Sequence, residues 1–493
     1  MARIAFCQDI LVEHMSFMYM SAVLKEAGHT VEIFFDDQID EKDFLSELGE
    51  FRPDIVGFSI LSPSVPWALR VGERVKDRIG ALTIFGNVHA IMNPDIVKEP
   101  GVDIVCIGEG EVPMRELARR VDKGLPHDDI PSLIVKNGDD IARNPNPKEM
   151  IDLDELPFHD RDLYDKYGFF RHSSYIRFMN GRGCPFRCTF CSNPALLEHY
   201  GVKEYIRKYT PARAIAELEH IVAKRNPKFV LFIDEVFWVK NDWLREFLAL
   251  YKERIGIKFG ANFRFGPIRE DDVKLMAEAG ADTFILAAET GDEGQRRKLM
   301  DKNVSNEAIL KVAGWLHKYK IKFTSSCFFG LPGDTVEDHL ERLDFYRKIR
   351  PSYLWTTFFQ PYPGIKLTEA FEVKKHMPKE AEFESTLHHD MYLDLPDRQR
   401  LVHFKKVYYL MVAFPWMTPL LHRLTKVPFP PLFDVLFMLH FTYYIFKFER
   451  VSFVQYLLHL KVFAINPLLR KGHPLQSIGR PFAQLFKKQG KSA

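Results

Sequence analysis

Short, continuous apolar runs alternate with helical stretches through the first 370 residues, and this alternation restricts the chain to an α/β architecture built on parallel sheets. Residues 4–6, 31–35, 55–60, 82–85 and 104–107 read as strands, with helices at 18–27, stopped by Gly28, and at 67–79. Strands that are apolar on both faces need cover on both faces. The expected fold of this segment is therefore doubly wound and Rossmann-like, with ligands beyond the carboxyl ends of the strands. From 171 to 370 six more strand–helix units follow, with strands at 175–179, 229–233, 258–263, 283–288, 322–329 and 353–359. Six units rather than eight predict a partial (βα)6 barrel of the TIM type, again with its chemistry at the carboxyl ends. Thr210-Pro211 predicts a helix start, and Thr335 with Asp338 predicts a capping pair.

The expected organisation is a Rossmann-like domain over 1–135, a linker over 136–170 rich in Asp, Pro and Asn, a partial barrel over 171–375, and a mainly helical region over 376–493. Net charge is only +2, but residues 401–493 hold 13 Lys/Arg against 2 Asp/Glu, and the last 43 residues hold no acid. That asymmetry predicts a basic tail that meets an anionic partner. No charged, apolar and cleavable leader precedes the first strand, so a cytoplasmic protein is expected.

Three of the six cysteines fall in one stretch, Gly181-Arg182-Gly183-Cys184-Pro185-Phe186-Arg187-Cys188-Thr189-Phe190-Cys191, while Cys7, Cys106 and Cys327 stand alone. This is no disulfide framework. Three thiolates spaced C-x3-C-x2-C can wrap one iron–sulfur cluster in a single loop, leaving one iron open, as a catalytic metal requires. The loop follows the first barrel strand. A zinc site completed by His172 or His199, or three packed core cysteines, are the other readings of the triplet.

With its aromatic Phe190 one place before the last cysteine, the motif resembles the signature of the radical S-adenosylmethionine (SAM) superfamily. The resemblance implies that Cys184, Cys188 and Cys191 ligate a 4Fe-4S cluster. SAM would chelate the open iron and be cleaved to a 5′-deoxyadenosyl radical, with the electron coming from a donor such as flavodoxin or ferredoxin. Other stretches resemble the family in order along the barrel. Asp234-Glu235 follows the second barrel strand. Glu289 lies in Ala287-Ala288-Glu289-Thr290-Gly291, similar to a G-x-E-[ST]-G stretch with alanine for the first glycine. Gly330 and Gly333 lie in a fifth-strand segment where backbone approaches adenine, and Pro361-Tyr362-Pro363-Gly364 resembles a P-x-P-G stretch. Phe190, Asp234, Glu235, Arg264, Glu289, Gly330 and Gly333 are thus the expected SAM neighbours, Arg264 for the carboxylate or else in a surface ion pair.

In the first domain, Gly86-Asn87-Val88-His89 and Gly108-Glu109-Gly110-Glu111 place glycines at strand ends, where a bulky ligand can lie on the backbone. Together with the domain order, these segments resemble the cobalamin-binding subgroup of radical SAM enzymes over residues 1 to about 370. Ser59, Gly86, His89, Gly108, Glu109 and Gly110 are the expected cobalamin neighbours. The D-x-H-x-x-G motif that gives cobalt a histidine is absent: Asp9 and His14 have the wrong spacing.

Thirteen of the 50 residues from 401 to 450 are aromatic, and Phe433, Phe437, Phe441 and Phe448 fall on helical spacing. The longest stretches free of charge, 407–422 and 435–446, are too short to span a bilayer. Aromatic helices with basic flanks either pack on the barrel as a lid or lie in the membrane interface at the inner face. Regular basic–aromatic interleaving is missing, which argues against nucleic acid. The resemblance implies cobalamin-dependent methylation of an unactivated carbon in a hydrophobic substrate such as a lipid, isoprenoid or tetrapyrrole. Alternatives are a radical cyclase or oxidative rearrangement enzyme of the same domain order, as in the anaerobic magnesium-protoporphyrin monomethyl ester cyclase group, and a non-catalytic cobalamin- or redox-sensing iron–sulfur protein.

Overall fold

The computed structural model describes residues 1–10, 12–36, 41–147, 149–171, 173–202, 206–237, 241–266, 268–370, 373 and 391–449. His172 and the basic tail beyond 449, both singled out by the sequence, lie outside the described residues. The chain divides into two compact units, one built from residues 1–173 and one from 174–451.

The first unit carries strands β1 (Arg3–Gln8), β2 (Thr30–Phe35), β3 (Ile55–Ser59), β4 (Leu82–Gly86) and β5 (Ile104–Cys106), all parallel in the order β2-β1-β3-β4-β5. The strand order reverses between β1 and β3, so that their carboxyl ends open a crevice for a ligand. Helices Met15–Glu26, Glu41–Phe51, Val65–Arg78 and Glu111–Asp122 link the strands. One layer of the core packs Val71 and Val75 of the third of these helices against Val56, Phe58 and Phe85, all at most 2% exposed.

The linker expected from 136 onward needs correction, because the boundary at 135 cuts a strand. β6 (Leu133–Asn137) and β7 (Asp140–Arg143) form an antiparallel hairpin on the β5 side of the sheet. Lys136, Asn137, Asp140 and Arg143 interrupt any apolar run there, and such half-solvated edge strands carry little pattern. The rest of the connector is tied to β1 and β2. The Tyr164 hydroxyl donates to Gln8 Oε1 at 2.8 Å and accepts from the His14 amide at 2.9 Å. The Tyr167 hydroxyl accepts from the Phe35 amide at 3.0 Å.

The second unit holds a six-stranded, fully parallel sheet: β8 (Tyr175–Phe178), β11 (Phe229–Phe232), β12 (Phe259–Phe263), β13 (Ala281–Leu286), β14 (Lys322–Phe329) and β15 (Tyr353–Phe358), adjacent in that order. β9 (Gly181–Arg182) and β10 (Arg207–Lys208) form a small antiparallel pair after β8. β8 and β14 are four spacings apart, roughly 19 Å in a flat sheet. Yet Tyr175, Leu231, Ile285 and Thr324 line one small cavity, so the sheet curls into a partial barrel. Both anticipated helix starts are present. Thr210 accepts from the Arg213 amide ahead of Pro211, and Thr335 and Asp338 form a reciprocal capping box.

The aromatic stripe of the C-terminal region packs inward. Helix Pro430–Tyr444 buries Phe433, Phe437, Phe441 and Tyr444, and the stripe continues at buried Phe448. Tyr444 sits 4.6 Å from the Tyr353 ring and 4.5 Å from Trp355 of β15, and with Phe448 it closes the cavity above. Burial pushes His440 down to about 4, so its ring is neutral. Nδ1 then accepts from the Tyr353 hydroxyl at 2.9 Å, and Nε2 donates to the Lys406 carbonyl at 3.0 Å. Among the described residues no helix is long and apolar enough to cross a membrane.

Candidate functional site

The C-x3-C-x2-C loop leaves the sheet at the carboxyl end of β8, and three sets of bonds hold it. β9 pairs with β10 so closely that a side chain on Gly181 would strike the Arg207 carbonyl. The Thr189 amide donates to the Met300 carbonyl at 3.1 Å, and its hydroxyl donates to the Leu299 carbonyl at 2.6 Å. The Leu367 amide donates to the Thr189 carbonyl at 2.8 Å. The loop is thus pinned to segments that follow β13 and β15.

Cys184 and Cys188 are buried, Cys191 is partly open, and none is in a disulfide. Burial, with Cys191, Cys188 and Glu235 nearby, pushes the Cys184 thiol up to about 11. Burial also raises Cys191, with Cys188, Glu289 and Glu235 adding to it. Three thiols and two carboxylates therefore crowd one mouth, and a cationic metal group is what makes their joint ionisation favourable. Among the described residues no three His, Cys, Asp or Glu groups gather closely enough for a single ion. A cubane bonds each thiolate to a different iron, so its sulfurs stand farther apart than the ligands of one zinc. His199 ends the helix Asn193–His199, with its ring 5.2 Å from Tyr200.

The other expected residues line the same carboxyl edge. Asp234, 1% exposed, accepts from the Asn180 amide at 3.1 Å, from Asn180 Nδ2 at 3.3 Å and from Lys208 Nζ at 2.5 Å. Its carboxylate is thereby committed to fixing the loop between β8 and β10. Glu235 opens to solvent and accepts from the Gly183 amide at 3.2 Å, while crowding by protein atoms and by Asp234 raises its carboxyl. Glu289, 5% exposed and at φ 67°, accepts from Lys302 Nζ at 3.0 Å and from the Ser326 hydroxyl at 2.7 Å. Phe190 meets Phe328 edge to face at 5.1 Å. Gly330 at φ 72° and Gly333 at φ 79° turn the chain beyond β14. Arg264, after β12, donates to Cys188 Sγ at 2.8 Å and lies 4.0 Å over the Phe186 ring.

Lys302, Ser326, Asn180 and Lys208 had not been anticipated. No local motif marks them, because each acts on a carboxylate far away in sequence. Gln360 was also missed, although it directly precedes the Pro361 segment. Both its amide atoms are buried with no hydrogen-bond partner among the described residues, at the carboxyl end of β15.

In the first unit, Ser59, Gly86 and His89 gather at the carboxyl ends of β3 and β4. The Ser59 hydroxyl accepts from Asn87 Nδ2 at 3.0 Å, and His89 Nδ1 meets the Ser62 hydroxyl at 2.9 Å. Burial lowers His89, which keeps it neutral near pH 7. The three glycines differ. A side chain on Gly86 would meet nothing closer than 3.7 Å, leaving the crevice clear. On Gly108 it would strike Asn146 and Ser132, and on Gly110 it would strike Met20. Those two glycines and Glu109 shape the loop before helix Glu111–Asp122.

Residues 181–346 match the radical SAM superfamily model, and residues 11–118 match the B12-binding domain model. The chain carries a radical SAM domain and a B12-binding domain. An uncharacterized methyltransferase of Pyrococcus horikoshii is 26% identical over 363 residues, 71% of this chain and 76% of that one. The anaerobic magnesium-protoporphyrin IX monomethyl ester cyclase of Rubrivivax gelatinosus is 26% identical over 386 residues, 73% of this chain and 67% of that one. Among solved structures, the radical SAM methyltransferase TsrM of Kitasatospora setae, with cobalamin and a [4Fe-4S] cluster bound, superposes with a TM-score of 0.65. It covers 85% of this chain and 90% of that one at 15% identity, a likeness of fold.

The bond from Arg264 to Cys188 yields a prediction for this radical SAM domain. Hydrogen bonds to cluster sulfurs stabilise the reduced, more negative state and raise the potential. Arg264→Gln is expected to lower the cluster midpoint potential, on the order of tens of millivolts. Redox titration followed by electron paramagnetic resonance measures it. An arginine that only supports the loop would reduce cluster occupancy and leave the potential of the remaining clusters in place.

Proposed function

We propose that this chain is a cobalamin-dependent radical SAM methyltransferase acting on an unactivated carbon of a hydrophobic substrate. The observation that carries the reading is the cysteine loop, pinned at the carboxyl edge of a six-stranded parallel sheet, in a chain that also holds a B12-binding unit. When bound, the cluster with SAM supplies a carbon radical and cobalamin supplies a transferable methyl group.

The chain's own residues hold and orient these groups. Cys184, Cys188 and Cys191 are the cluster ligands. Glu289, fixed by Lys302 and Ser326, and the open Glu235 offer carboxylates to the ammonium or ribose hydroxyls of SAM. Asp234 and Arg264 act one step back, on the loop and on Cys188. Phe190 against Phe328 forms an apolar wall, and Gly330 and Gly333 bring backbone toward the adenine. Gln360 supplies an unspent amide to a bound polar group. Ser59, Gly86 and His89 face the corrin, with Gly108, Glu109 and Gly110 shaping the loop beside it.

The Rubrivivax relative, a magnesium-protoporphyrin cyclase by name, supports a hydrophobic substrate of tetrapyrrole type, with isoprenoids and lipids as further candidates. A small cytoplasmic donor such as flavodoxin or ferredoxin is the proposed reductant. The same relative also favours a second reading, radical ring closure. Protein reconstituted anaerobically with iron, sulfide and cobalamin, then given SAM, reductant and candidate substrates, separates the two by product mass. Methylation adds one CH₂ and consumes a second SAM, whereas ring closure adds no carbon. Failure to retain corrinoid would remove the methyl-transfer reading.

A further inference from the structure

We infer that the C-terminal helices form a docking surface for an anionic lipid bilayer, with the chain lying in the headgroup interface rather than spanning it. The helix Pro430–Tyr444 is apolar on opposite faces. Its inner stripe packs on β15, while Val435, Leu439 and Tyr443, four residues apart along the other side, are 57%, 64% and 45% exposed. A helix with a solvated outer face would place charges at those positions. The feature is regional: of 15 large hydrophobic side chains exposed among the described residues, nine lie between 414 and 446. Trp416, at 76%, is the most exposed of all.

Charge selects the occupant. From 414 to 449 the acids are Asp434, which pairs with Lys406 at 2.6 Å, and Glu449. Arg423, Lys426 and Lys447 are exposed around the apolar face. Residues 450–493, which follow directly in the chain, add eight Lys/Arg and no acid. An apolar, aromatic face flanked by exposed cations, in a sequence that runs on basic and free of acids, suits a surface of anionic headgroups over acyl chains. A protein partner with an apolar patch would not require that excess of cations. No described helix is long and apolar enough to cross a bilayer, and the contact proposed for the helix Pro430–Tyr444 is an interfacial one. This inference does not depend on the methyl-transfer reading, since lipid binding needs no turnover.

The test is co-sedimentation of the full chain with vesicles of phosphatidylcholine containing phosphatidylglycerol, and with phosphatidylcholine alone. Expected are binding to the anionic vesicles, weakening with added salt, and a blue shift of the fluorescence that Trp416→Phe removes. Leu439→Glu should lower partitioning about tenfold or more, since a carboxylate must then enter the interface. Its circular dichroism and 5′-deoxyadenosine formation should stay as in wild type. Equal binding by Leu439→Glu, or no binding to anionic vesicles, would overturn the inference. So would a dimer by light scattering that Leu439→Glu dissociates without any lipid effect, which would assign the face to a second copy.

Discussion

Reconstituted Cys188→Ala protein will carry no intact cubane, and its formation of 5′-deoxyadenosine from SAM will fall to the level of buffer. Cys188 is the middle of the three proposed ligands and the one whose sulfur Arg264 contacts. Removing it costs one iron its thiolate and leaves the guanidinium beside a methyl group. The loop itself should persist, because Thr189 and Gly181 anchor it through backbone contacts that the substitution does not touch. Loss of the cluster's visible absorbance with an unchanged melting profile is therefore the expected pattern. SAM cleavage by Cys188→Ala at the wild-type rate would break the assignment of the cluster to these cysteines.

The second large effect falls on Glu289. Its backbone is locked to β14, donating to the Ser326 carbonyl at 3.1 Å and accepting from the Phe328 amide at 2.7 Å. Its carboxylate faces Lys302, and both side chains are about 5% exposed. Removing one member of such a pair strands a buried charge, at a cost of about 3–5 kcal/mol. Glu289→Gln should therefore destabilise the second unit by about that amount and weaken SAM binding, read by pulse proteolysis and by calorimetry. Adding Lys302→Met should restore most of the stability, because the stranded ammonium is gone, without restoring SAM affinity. A Glu289→Gln protein as resistant to proteolysis as wild type would mean that Lys302 reaches water and that the pair is not truly buried.

Most of the sheet framework was legible because its information is local. Each parallel strand is an apolar run a few residues long, and the three cysteines share one loop. The cluster site could therefore be proposed before any contact was known. What escaped depends on contacts between distant positions. Arg264 meets Cys188 across 76 residues, and Asn180 meets Asp234 across 54. A positive charge after one strand says nothing of the sulfur it will face. β6 and β7 escaped for another reason: a half-solvated edge hairpin lacks the continuous apolar signal on which strand recognition rests. Gly108 and Gly110 illustrate an ambiguity of residue type. A glycine needed to admit Asn146 or Met20 looks, in sequence, like one needed to admit a cofactor.

The segment that carries the radical SAM likeness ends at residue 346, but the sheet continues. β15 pairs with β14 over six residues, from Thr324 with Tyr353 to Phe329 with Phe358. The helix Arg398–Ala413 then holds this end in place, with the Tyr408 hydroxyl donating to the His339 carbonyl at 2.9 Å. A gene fragment cut where the likeness stops would leave β14 with a bare edge, open to pairing with any other chain. The smallest stretch that keeps this sheet whole is therefore longer than the stretch the radical SAM model matches. A grafted or shortened version has to carry β15 and the helix Arg398–Ala413 with it to keep this edge of the sheet covered.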